Sequence, residues 1–94
     1  MRRENVAIQT QGHRHRPVSA LADLRPGQQG HIAYLQSQDP TKVQKMMSMG
    51  ILPGTPISLI RRLPSYIFQV SYSQFAVDKE MATGIYVNVD QPQL

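Results

Sequence analysis

The chain has 94 residues and a formal net charge of +4, with ten Lys or Arg against six Asp or Glu. This length suffices for a single domain with a small core. The lack of cysteine excludes disulfides, thiolate metal sites and cysteine nucleophiles. No apolar run approaches the ~20 residues needed to cross a bilayer, so we expect a cytoplasmic protein with no membrane insertion.

Most of the excess positive charge lies in residues 1–17, whose apolar residues show no regular helical or strand spacing. They predict a mobile basic tail, or alternatively an added edge strand over residues 5–10. His13 and His15 lie within this tail, but neighbouring arginines repel a cation and further ligands are missing, so we expect no native metal site. Adventitious metal binding is left open. The rest of the chain is nearly neutral, which argues against a nucleic-acid partner.

Residues 40–54 predict a short helix whose two ends are both encoded. Asp39 is a good N-cap, and a proline suits the first helical position. Gly50 is expected to end the helix in the left-handed conformation, which places Ile51 against Met46. Such a helix, held between two turns, is the block on which the other elements can be assembled.

The remaining segments predict short strands. The first covers residues 28–35, with a bend or bulge near Gly30. A second runs from about residue 56 to 63. In the third, Phe68, Val70 and Tyr72 share a face, and a tight turn at residues 73–74 then leads into a hairpin partner. A short helical turn, begun by Asp78, precedes the last strand at residues 85–89.

About five short strands and one inserted helix favour a small, closed or nearly closed β-barrel. Closure removes the exposed edges that so small a sheet could not otherwise protect. We therefore expect a mainly β domain over residues 18–90, with one α-helix inserted and a short helical turn before the last strand. Residues 91–94 are expected to form a short tail.

Three methionines in the helix, Met46, Met47 and Met49, span more than half its circumference and cannot all face inward. We expect Val43, Met46 and Met47 to form the apolar stripe and Met49 to lie near the surface. Core filling and partner docking are both open interpretations of this group. The expected partner-binding residues are Lys42, Lys45, Met46, Met49, Leu52 and Pro53.

The sequence holds no catalytic constellation. The acidic residues are scattered, and neither a Gly-x-Ser-x-Gly nor a His-Glu-x-x-His motif occurs. Gly27 and Gly30 could suggest a phosphate loop, but the Lys-Ser/Thr ending is missing and a strand follows, so turn glycines are favoured. We expect no enzyme activity, no cofactor and no metal site.

Over residues 19–89 the pattern resembles the ferrous iron transport protein A (FeoA) family. The helix with its glycine and Pro-Gly exit is the most specific part. The structural motif consists of Gly27, Gly30, Gly50, Ile51 and Gly54. The pattern as a whole comprises Leu21, Leu24, Gly27, Gly30, Ile32, Met46 to Gly54, Phe75 to Val77, Ala82, and Ile85 to Val87.

The resemblance implies an SH3-like β-barrel of the bacterial cytoplasm, neither an enzyme nor an iron binder. It implies an accessory protein of ferrous iron uptake that docks on the cytoplasmic GTP-binding domain of the membrane transporter FeoB. An alternative is an SH3-like regulatory module in metal-dependent transcriptional control, because similar barrels form the carboxy-terminal module of iron-dependent repressors. An iron carrier is disfavoured by the scattered carboxylates. Asp78 stands where the family commonly has a basic residue.

Overall fold

The computed structural model describes residues 18–90. The expected tails, the alternative edge strand at residues 5–10 and the histidines His13 and His15 lie outside the described residues. Two helices, α1 (Pro40–Ser48) and α2 (Lys79–Thr83), accompany a 3-10 turn at Leu21–Asp23. The strands are β1 (Val18–Ala20), β2 (Gln29–Leu35), β3 (Pro56–Arg61), β4 (Tyr66–Val70), β5 (Ser73–Val77) and β6 (Ile85–Val89).

The strands form one antiparallel sheet in the order β1-β6-β2-β3-β4-β5. The expected mainly β class with one main inserted helix is confirmed. The described residues contain six strands rather than five, because the short β1 pairs with β6 and sets Val18 opposite Asn88. Hydrogen-bonded pairing ends at β1 and β5, so the sheet is not closed into a ring.

The core lies on one face of this sheet and is completed by the helices. In β4 and β6 every second residue is buried, and β3 follows the same alternation as far as Leu59, which is the period of a strand with one covered face. Leu21 from the 3-10 turn and Met46 from α1 close the core from outside the sheet. The largest fully buried side chains are Phe68, Leu21, Leu24, Ile32, Met46, Ile51, Ile57, Leu59, Ile85 and Val87.

The β4–β5 hairpin turns earlier than the alternation predicted. Val70 pairs with Ser73, so the connecting loop is Ser71 and Tyr72 rather than residues 73–74. Ser71 has a φ of 56°, and Tyr72 is completely exposed instead of continuing the buried face of β4. A two-residue loop whose first residue has positive φ fits the twist of paired strands, and this geometry overrides the apolar pattern.

The irregularity expected near Gly30 lies farther along β2. The register with β6 shifts between Ile32 and Tyr34. Gly30 itself is regularly paired, opposite Val89 on one side and Ile57 on the other. Its lack of a side chain serves a close backbone approach, since a Cβ there would overlap the carbonyl oxygen of Asn88. The glycine signal was therefore real, but it marked crowding rather than a bulge.

Both ends of α1 form as the sequence predicted. The Asp39 side chain accepts a hydrogen bond from the backbone N–H of Thr41 at 2.9 Å. Gly50 has a φ of 90°, and its N–H donates to the carbonyl of Met47 while that of Ile51 donates to Met46, each at 3.0 Å. These two bonds define a Schellman motif, so the direction in which the chain leaves α1 is fixed.

The helical turn before the last strand is also confirmed. Asp78 begins α2 by accepting a hydrogen bond from the N–H of Met81 at 2.9 Å. Gly84 ends it, and a Cβ at that position would collide with the carbonyl oxygen of Gln36. Within residues 18–90, no helix is both long and apolar enough to span a membrane.

Candidate partner-binding surface

The helix-end surface, which we define as Met47, Leu52 and Pro53, is the exposed apolar region at the end of α1. Met47 is 45% exposed and Leu52 is 41% exposed, and Pro53 is exposed beside them in sequence. Large apolar side chains on a surface cost solvation free energy, so a group of them at one end of a helix suits contact with another polypeptide.

The helix buries a different methionine set from the one predicted. Met46 is 1% exposed and Met49 packs half-buried against the core, whereas Met47 faces solvent. Met46, one of the expected partner-binding residues, is therefore not accessible to a partner in this structure, and the expected inward position of Met47 is wrong. At about 100° per residue, Met49 and Val43 each lie about 60° from Met46 around the helix, while Met47 lies about 100° away.

The exposed Met47 and the expected partner-binding residue Lys45 lie on opposite sides of α1. Lys45 is exposed, but it lies about 100° from Met46 in the direction opposite to Met47. Lys42 lies on the same side as Lys45 and is half-buried. A partner that contacts Met47 must therefore reach around the helix end to meet Lys45.

Hydrogen bonds to β2 hold the turn that carries Leu52 and Pro53. The N–H of Gly54 donates to the carbonyl of Ile32 at 2.7 Å, and the N–H of Ile32 donates to the carbonyl of Thr55 at 2.9 Å. With the Schellman motif on the other side, the helix-end surface is anchored at both of its ends. Its apolar groups are thus presented in a fixed arrangement, which lowers the entropic cost of binding.

An ion pair connects the two helices. The Lys42 ammonium group donates to the Glu80 carboxylate, which joins α1 to α2. This hydrogen bond raises the pKa of Lys42 above 10.5, and the negative charges of Glu80, Asp39 and Asp78 add to the effect. Lys42 therefore has an intramolecular partner, which makes it a poorer candidate for partner binding than Lys45.

We expect the ion pair to make stability sensitive to alkaline pH. Because folding raises the pKa of Lys42, its contribution is complete below the unfolded value of 10.5 and is lost as pH rises through the folded value. Thermal unfolding of the wild type and Glu80→Gln across this range would show the loss of Tm in the wild type and a smaller loss in the variant. Identical pH profiles would contradict the assignment.

A polar groove of about 280 Å³ lies on the other side of the sheet from the core, across β2, β3 and β4. Its polar lining includes Gln29, His31, Ser58, Gln69, Ser71 and Asp90. His31 Nδ1 and Asp90 Oδ1 are 3.9 Å apart. Within residues 18–90, no three His, Asp or Glu side chains are grouped so that they could hold a metal ion.

Sequence reasoning missed several exposed apolar residues. Tyr72 occupies the hairpin loop, and Leu63 is 79% exposed between β3 and β4. Tyr34 stacks on Tyr86 across the outer face of the sheet, with ring centroids 4.6 Å apart. The Leu63-Pro64 pair could have indicated that Leu63 is exposed, because a residue before proline at the end of a strand is typical of an exposed loop.

The comparison with family models matches the FeoA domain over residues 20–89. A Leptolyngbya boryana protein that is named as an Fe(2+) transport protein A is 31% identical to this chain over 74 residues. That alignment covers 78% of this chain and 90% of the relative.

Solved structures share the fold. The crystal structure of an iron uptake regulatory protein (FeoA) matches with a TM-score of 0.70 and 27% identity, covering 78% of this chain and 97% of that one. A manganese-dependent transcriptional repressor matches with a TM-score of 0.72 and 19% identity, covering 82% and 44%. At that identity the repressor shares the fold alone. The structure of a Stenotrophomonas maltophilia FeoA, which is also similar to this chain, is described as an SH3 domain protein, in agreement with the SH3-like fold expected from the sequence.

Proposed function

Because the chain belongs to the FeoA family, we propose that it is a non-enzymatic accessory protein of bacterial ferrous iron transport, acting in the cytoplasm. We further propose that it docks on the cytoplasmic GTP-binding domain of the membrane transporter FeoB. Family membership supports the first statement. The observation that carries the second is the pair of exposed apolar side chains, Met47 and Leu52, on an anchored helix end.

The proposed docking uses the helix-end surface as its apolar centre. Fully burying a methionine or leucine side chain is worth about 1.5–3 kcal/mol, so Met47 and Leu52 can supply much of the affinity of a transient complex. Lys45 lies on the other side of α1 and suits the polar rim, where a charge influences association rate more than final affinity.

We expect Met47→Glu or Leu52→Glu to weaken binding to the isolated GTP-binding domain at least about tenfold, because each places a charge in an apolar contact. Pull-down followed by calorimetric titration would measure the change. Both positions are well exposed, so the folded structure should tolerate the substitutions.

Tyr72→Glu is the matched control, since Tyr72 is a completely exposed large side chain in a different loop. It should bind like the wild type. Circular dichroism would verify that all three variants are folded. Unchanged binding by both Met47→Glu and Leu52→Glu would reject the helix-end surface as the contact. Absence of wild-type binding, including to membranes containing the full transporter, would reject the proposed partner.

A further inference from the structure

The loop between β3 and β4 carries a second exposed apolar group, well separated in sequence from the helix-end surface. We define the hairpin tip as Ile60, Arg61, Arg62 and Leu63. Leu63 is 79% exposed, and Ile60 is also among the exposed large apolar residues. A single exposed apolar side chain is ordinary on a protein surface, so what distinguishes this loop is the combination of Leu63 and Ile60 with two neighbouring arginines.

The hairpin tip lies in a part of the chain that carries only positive charge. Between residues 55 and 77 the charged residues are Arg61 and Arg62, and no Asp or Glu occurs. The acidic residues of the described region are Asp23, Asp39, Asp78, Glu80 and Asp90. Neither arginine takes part in an ion pair within residues 18–90. The combination of a cationic pair and an exposed leucine suits an anionic surface with an apolar interior.

The tip is also held in position. Arg62 Nη2 donates to the backbone carbonyl of Ala22 at 3.1 Å, and its guanidinium lies 5.9 Å from the centroid of the Tyr66 ring. The β3–β4 register shifts between Leu59 and Arg61, so the intervening Ile60 is displaced from the regular strand alternation. An anchored tip loses little conformational freedom when it meets a surface.

We infer that the hairpin tip binds the surface of an anionic lipid bilayer, with Leu63 entering the headgroup region and Arg61 contacting lipid phosphates, while Arg62 anchors the tip to the domain. A bilayer needs no shaped pocket, which suits one protruding leucine backed by a displaced isoleucine. Basic residues next to apolar ones are the usual composition of peripheral membrane contacts. This contact does not depend on the proposed transporter partner, because it is made with lipid alone.

Flotation of the full chain with vesicles would test the inference. We expect binding to vesicles that contain phosphatidylglycerol, little binding to pure phosphatidylcholine, and weakening at high salt. Leu63→Ala should lower the partition coefficient about tenfold, in line with the transfer of one leucine side chain. Arg61→Gln should lower it as well. Tyr72→Ala is the control, because Tyr72 lies at the opposite end of β4, and it should leave the coefficient unchanged.

A fluorescence measurement separates insertion from adsorption. The chain contains no tryptophan, so Leu63→Trp introduces a single reporter. Its emission should shift to the blue on addition of anionic vesicles, while the emission of Tyr72→Trp should not. Equal vesicle binding by the wild type, Leu63→Ala and Arg61→Gln would overturn the inference and assign adsorption to charges elsewhere, such as the arginines of residues 1–17. An unshifted Leu63→Trp emission would overturn the insertion of the tip.

Discussion

Replacement of Gly30 by alanine is expected to destabilise the protein by about 3 kcal/mol or more, because the new methyl group has no space. An ideal Cβ at this position would overlap the carbonyl oxygen of Asn88 and lie 2.8 Å from its carbonyl carbon. Both atoms belong to the backbone of β6, which is paired with β2 and cannot rotate away. Urea unfolding followed by circular dichroism would measure the loss.

Gly27→Ala is the matched control for this prediction. Gly27 has a φ of 95°, but nothing lies within 4 Å of the position that its Cβ would take. Its replacement should therefore cost only the conformational strain of a left-handed residue, about 1–2 kcal/mol. Equal losses of stability in the two variants would contradict the crowding assigned to Gly30.

The second large effect is expected at Met46. Met46→Ala should lower the free energy of unfolding by about 2–5 kcal/mol, since a fully buried side chain is truncated and leaves a cavity. Met47→Ala, one position along the same helix, should change it by no more than about 0.5 kcal/mol. Alanine is the best helix former, so propensity does not explain a loss at either site.

Denaturant midpoints of the two variants would check this contrast, provided that the free energy of unfolding of both variants falls with denaturant concentration at the same slope. Each variant is the control for the other, because both replace a methionine of α1 by alanine at neighbouring positions. A larger loss for Met47→Ala than for Met46→Ala would mean that α1 is rotated about its axis relative to the described arrangement. In that case the helix-end surface would need to be redefined.

The elements that the sequence predicted well are those determined by local chemistry. Asp39, Gly50 and Ile51 define the ends of α1 through contacts within a few residues, so their roles can be predicted without knowledge of the fold. The same holds for Asp78 at the start of α2. In each case the residue type is chosen by the backbone conformation and the hydrogen bond that it must make.

The failures concern rotation and register, which depend on distant parts of the chain. Whether Met47 or Met49 faces the core is decided by how α1 lies against the sheet, and the spacing of three methionines permits either answer. Tyr72 continues the alternation of β4 but belongs to a two-residue loop whose position depends on the pairing of Val70 with Ser73. Apolar pattern alone does not locate such a turn.

The sequence indicates where exposed apolar residues follow α1, but not which methionine of the helix is exposed. The end of α1 and the turn after it were identified, and Leu52 and Pro53 are exposed there. Met46 is buried and Met47 is exposed, a difference that the spacing of the methionines does not decide. The Lys42–Glu80 ion pair joins residues 38 positions apart and has no local signal.

The position of β6 between β1 and β2 has a consequence for synthesis on the ribosome. The strand translated last among those described is an interior one, so β1 has no hydrogen-bonding neighbour until residues 85–89 have emerged. Ile85 and Val87 are fully buried, so the nascent chain also exposes its hydrophobic interior until that moment. A premature stop before Ile85 would therefore yield a polypeptide that lacks an interior strand and exposes its core, which proteases or chaperones must handle.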